Sequence, residues 1–148
     1  MRFLPLALLF ALAVPLTAPA ASAQTELGWD VLEAAEIVRA GDGWAVRHPT
    51  AAVRAEGQTV EVSGHMIPLE TGRRVTRFAV SRMTAEECFY CQPGPMSFIE
   101  VIADRPVALT MDNITVVGRL ALPTKGQRYR GGTIYRLEGA RLTRSGLQ

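Results

Sequence analysis

From Gln58 onward the chain carries apolar residues at every second position, and that period limits what it can become. Val60, Val62 and Gly64 alternate with Glu61 and Ser63, and Met66-Ile67 carry the run to Pro68. A two-residue period puts one set of side chains in a core and the other in water, which is a β-strand. After a turn at Glu70-Thr71-Gly72-Arg73, a second strand follows over 75–80, with Phe78 and Val80 inward. A third covers 98–103, more continuously apolar but interrupted by Glu100. Asp112-Asn113 is a turn, 114–122 is a fourth strand, and a polar glycine-containing loop leads to a fifth at 133–142. Gly64 and the Val116-Val117-Gly118 run put glycine inside strands, where it permits the sharp coiling that closure requires. Five strands in a meander with such glycines predict an all-β fold, a small five-stranded OB-like Greek-key barrel. A β-sandwich is the alternative, and five strands are few for one.

Residues 24–57 precede this pattern and read as an N-terminal helical arm and linker. Asp30 can cap a helix whose apolar side holds Leu32, Ala35 and Val38, ended by Gly41-Asp42-Gly43. Trp29, just before the cap, is placed to staple the arm to the barrel. Trp44 to Val46 is a short strand broken by His48-Pro49, and 50–57 is a linker or a second short helix.

Residues 1–23 have the anatomy of a signal peptide. Arg2 gives a positive start, Phe3 to Leu16 is apolar, and Ala21-Ser22-Ala23 is a small-residue cleavage site. The expected product is periplasmic or secreted after cleavage near Ala23, and not membrane-spanning. Its barrel domain would be 58–148. Loss of Arg2 takes the formal charge from +2 to +1. So small a charge argues against nucleic acid as a partner, because phosphate binding needs an excess of cations.

Cys88-Phe-Tyr-Cys91 is the distinctive chemical feature, since the chain has only two cysteines. Three chemistries are open to it. An oxidising compartment allows a disulfide that rigidifies one loop. Two thiolates at this spacing supply half of a tetrahedral zinc site, and a soft pair also suits copper(I). The remaining ligands would come from His65, Met66, Met83, Met96 or His48. Each methionine also suits ordinary core filling. The third chemistry is thiol–disulfide exchange. Gln92-Pro93-Gly94-Pro95 follows at once and blocks a helix after the motif, while Glu86 and Glu87 disfavour a thiolate. Haem attachment is excluded because Gln92, not His, follows the second cysteine.

The order of short motifs resembles the family of exported bacterial proteins known as domain-of-unknown-function family 3299. The matching pieces are Trp29-x-x-Leu32, Val62-Ser-Gly64-His-Met66-Ile-Pro68-Leu69, Phe78, the 88–92 segment and Ile99-Glu100-Val101. Together they span about two thirds of the mature chain. The resemblance implies export and a compact β-fold, and it brings no activity.

The functional expectation is an exported, non-enzymatic binding or accessory protein of the cell envelope. Its CxxC loop forms a disulfide or part of a soft-metal site, and its partner is an envelope protein or a small ligand. The alternative is a periplasmic thiol–disulfide oxidoreductase or redox-sensitive chaperone partner.

Overall fold

The computed structural model describes residues 25–84, 86–87 and 94–145, with residues 144 and 145 described by their backbone alone. The expected signal peptide lies outside them, and so do Cys88 and Cys91. In chain order the elements are β1 (Thr25–Glu26), α1 (Trp29–Glu33), β2 (Glu36–Ala40), β3 (Gly43–Arg47), α2 (Thr50–Ala55), β4 (Thr59–Pro68), β5 (Arg74–Ser81), β6 (Phe98–Ala108), β7 (Asn113–Ala121) and β8 (Arg136–Ser145).

Five strands close a barrel in the order β4-β5-β6-β8-β7 and back to β4. All neighbours are antiparallel except β6 and β8, which run parallel. The expected all-β, five-stranded barrel is therefore present. The meander holds only for β4 to β6, because β8 inserts between β6 and β7. Closure depends on β4, which pairs with both β7 and β5 within the barrel, while the two-residue β1 adds to it in parallel at Val60 and Glu61. Thr59 to His65 pair with β7, and His65 to Pro68 pair with β5. At Gly64 the backbones come so close that a Cβ would sit 2.4 Å from the Ser81 carbonyl oxygen. Gly118 is the matching point on β7, where a Cβ would lie 2.9 Å from that of Ala140. No larger residue fits either position without moving a strand.

Alternation fills the interior. Val60, Val62, Phe78, Val80, Ile99, Val101, Ile114, Val116, Leu120 and Leu137 are at most 1% exposed. Each contributes roughly 1.5–3 kcal/mol by leaving water. A register shift between Val75 and Arg77 lets Val75 face inward with Phe78 and Val80, against strict alternation. The third strand runs past its expected end through Pro106. Proline is tolerated there because β8 pairs with β6 only from Glu100 to Ala103, leaving the later residues on an edge. The fifth strand starts three residues later than expected, at Arg136, with Ile134 and Tyr135 already buried just ahead of it.

The arm departs most from expectation. Its helix has five residues, with Gly28 at the N-cap and no side-chain cap from Asp30. Ile37 and Val38 belong not to a helix but to a β2–β3 hairpin, opposite Val46 and Ala45. The Leu32, Ala35, Val38 spacing also suits a helix, but β-branched residues on both sides of Gly41-Asp42 favour the hairpin. The segment at 50–57 resolves as the second short helix, α2. Leu27, Leu32, Ala35, Ala52 and Ala55 join the barrel's own hydrophobic core, so the arm seals the barrel rather than trailing from it. Trp29 is the expected staple, its indole donating to the Ser63 carbonyl at 2.8 Å. Among the described residues no helix is long and apolar enough to cross a membrane.

Candidate functional site

The segment carrying the cysteines leaves β5 at Ser81 and returns at Phe98, a pair directly opposite in the β5–β6 ladder. Residues 82–97 thus form a long excursion from the mouth of a hairpin. Loops of that length within compact domains are commonly functional. Its two ends are fastened. The Met83 amide donates to the Ser81 hydroxyl at 3.2 Å, and Arg82 forms a 3.2 Å ion pair with Glu33 of α1. At the return, the Ser97 amide donates to the Gly94 carbonyl at 3.0 Å.

Just ahead of Cys88, Thr84 and Glu87 bond reciprocally. The Thr84 amide and hydroxyl donate to the Glu87 carboxylate at 2.9 and 3.1 Å, and the Glu87 amide donates to the Thr84 hydroxyl at 3.3 Å. This is a capping box, and residues 86 and 87 are helical. Sequence reasoning passed over it, although Thr-x-x-Glu is its signature. The Thr84 hydrogen bonds hold the Glu87 carboxyl below the usual carboxylate range, and the His65 charge lowers it further. In sequence, a carboxylate held by hydrogen bonds therefore comes one position before the first cysteine.

His65 and Met66 were both expected to serve that loop, and the strand separates them. On β4 the inward set is Val60, Val62, Gly64 and Met66, so His65 points to the outer face and Met66 to the inner. Met66 is 6% exposed and lines an apolar pocket of ≈ 180 Å³ with Pro68, Leu109 and Met111. His65 is opposite Ser81, where the cysteine loop begins. Its Nδ1 is shielded from solvent without a hydrogen-bond partner among the described residues. Met83 is half-buried at the start of the loop, and Met96, also half-buried, packs against the core at its end. Neither strand direction nor burial removes these two as donors. His48 keeps different company, lying edge-on to Tyr135 at 5.3 Å between ring centres. Burial pushes its imidazole below the usual value, against a pull from Glu56 and with a push from Lys125. Among the described residues no group of three or more His, Cys, Asp or Glu could hold a metal. Any ion at this end would therefore require the cysteines.

Glu100 turns out to be more than an interruption in a strand. It is 2% exposed and accepts hydrogen bonds from Arg77 at 2.6 Å and Arg136 at 2.8 Å. Burial alone pushes its carboxyl up, but the two guanidinium bonds and charges outweigh that and hold it below the usual range. The triad ties β5, β6 and β8 together two residues from where the cysteine loop returns. The visible signal was a charge inside an apolar run. Its partners stand 23 and 36 residues away.

No family model matches the chain, and neither does any curated protein. Among solved structures it is similar to the crystal structure of a DUF3299 family protein (PA4066) from Pseudomonas aeruginosa PAO1. The TM-score is 0.60 at 16% identity, covering 85% of this chain and 99% of that one. At that identity the likeness is one of fold, and the fold expected from the motif resemblance is the one observed.

Proposed function

We propose that the chain is an exported, non-enzymatic accessory protein of the cell envelope and a member of the DUF3299 family. In its reduced form the 82–97 loop holds a soft ion, zinc or copper(I), through Cys88, Cys91 and His65, and on oxidation the two thiols close as a disulfide. The observation that carries this is His65. Its Nδ1, shielded and without a partner among the described residues, stands at the base of the loop, within electrostatic reach of Glu87, the residue before Cys88. Met83 and Met96 are the available fourth donors, and a thioether would favour copper(I). Met66 is no longer a natural choice, because it faces the core.

Purified mature protein, reduced, should bind about one zinc or copper(I) ion per chain. Cys88→Ser/Cys91→Ser should abolish binding, and His65→Ala should weaken it by about tenfold or more. Metal retained by the double variant, or absent from the wild type, overturns the metal site. Paired thiols in the native protein would then leave the disulfide alone.

A thiol–disulfide oxidoreductase is the second reading, and the Thr84–Glu87 capping box favours it by starting a helical turn toward Cys88. The fixed charge of Glu87 opposes a low thiol pKa. A Cys88 thiol reacting with a disulfide no faster than free cysteine removes this alternative.

A further inference from the structure

A second surface lies between the β2–β3 hairpin and the segment joining β7 to β8. Ile37, Trp44 and Tyr129 form its floor and Arg130 and Gly131 its rim, around an open volume of ≈ 620 Å³. Trp44 is 48% exposed, unusual for the largest apolar side chain. The groove is held in shape. The Tyr129 amide donates to the Trp44 carbonyl at 2.7 Å, and the Tyr129 hydroxyl donates to Gly132 at 3.2 Å. Arg39, opposite Trp44 in the ladder, lays its guanidinium over the indole at 5.5 Å.

The charges around this groove do not balance. Arg128 is paired with Asp42, Arg47 with Glu36 and Lys125 with Glu56. Arg39 and Arg130 have no carboxylate partner among the described residues. An apolar floor flanked by two uncompensated cations is complementary to an anionic partner with an apolar anchor.

We propose that this groove docks an extended acidic segment of another protein, with an apolar side chain seated between Trp44 and Tyr129. Three observations favour a polypeptide. Trp, Tyr and Arg are the residues that dominate protein-binding energy. The floor offers few hydrogen-bonding groups, so sugar hydroxyls would lose water without replacement. Arg39 already occupies one face of the indole, which leaves a nucleobase only the other to stack on. In addition, among the described residues β2 pairs with no strand but β3, so its other edge has no strand partner there and could take an added strand.

The test titrates the mature protein with the capped peptide Asp-Glu-Phe-Glu-Leu-Asp, followed by calorimetry and tryptophan fluorescence. The lysine-for-acid version of that peptide, an oligogalacturonate and an oligothymidylate are titrated in parallel. The acidic peptide should bind saturably, and more weakly by about tenfold as salt shortens the Debye length from roughly 10 to 3 Å. Trp44→Ala and Arg130→Glu, both at exposed positions, should each weaken it by about tenfold or more while leaving the thermal midpoint unchanged. Absence of saturation, equal binding of the lysine peptide, or full affinity in both variants overturns the proposal. So does tighter binding of the galacturonate or the thymidylate that is lost in the same variants, which would assign the groove to that class instead.

Discussion

Glu100 and His48 are both polar side chains taken out of water, and the protein treats them in opposite ways. The carboxylate is met by two guanidinium groups that keep it ionised. The imidazole has both nitrogens shielded and unpartnered among the described residues, and burial keeps it neutral. A charge that must stay charged needs specific partners, brought here from two other strands. A group that can discard its charge tolerates burial, and its stabilising contribution is contact with Tyr135. The first arrangement fixes strand register, and the second makes the arm's seat sensitive to acid.

The largest effect should come from removing both cations facing Glu100. Arg77→Met/Arg136→Met strands a buried carboxylate and should cost about 3–5 kcal/mol in urea denaturation at neutral pH. Adding Glu100→Met should recover most of that loss. If the double variant unfolds at nearly the wild-type midpoint, Glu100 is solvated and the contrast with His48 collapses.

His48 should give a smaller effect, visible in the pH dependence. Its folded pKa lies below the ordinary 6.5, so between the two values the unfolded chain binds a proton that the native chain does not. Stability is therefore complete above pH 6.5 and falls as pH drops through that window. Glu100, with a folded pKa below the ordinary 4.5, adds a second loss at lower pH. His48→Phe should abolish the first step, keep the second, and change neutral-pH stability by about 1 kcal/mol or less. An unchanged acid profile in that variant would show that another group titrates.

The smallest effect belongs to the Glu36–Arg47 pair on the hairpin, whose side chains are 59% and 68% exposed. Glu36→Gln should shift stability by about 0–1 kcal/mol, within the range of solvated pairs. A loss comparable with that at Glu100 would mean that partners, not burial, set the scale.

The same contrast explains what could be read in advance. The barrel strands were legible because each buries one face, and Val60, Val62 and Gly64 announce that face by simple alternation. Mid-strand glycines at 64 and 118 pointed to coiling, and both prove to be places of close backbone approach. The β2–β3 hairpin was not legible, because the i, i+3, i+6 spacing of Leu32, Ala35 and Val38 matches a helix although the three belong to different elements, Leu32 to α1 and Val38 to β2. Pairing with Val46 decides for the hairpin. His65 was identifiable as a residue beside the sharpest bend. That Met66 faces the other way follows from alternation and could have been seen. The Glu100 triad required strand register, which no local pattern contains. The cysteine assignments fall outside the described residues.

The double duty of β4 also bears on how the chain is made. Its first half finds its partner in β7, about fifty to sixty residues further along. A chain that emerges amino end first must carry that half as a bare edge until nearly all the rest has appeared. Hairpins β4–β5 and β5–β6 can form early from neighbouring sequence, but ring closure waits for β7 and β8. Non-local pairing of this kind slows folding and exposes an edge on which other chains can nucleate aggregates. Truncation before residue 113 thus removes more than two strands, because it leaves a protein with a sticky seam and no means of closing it.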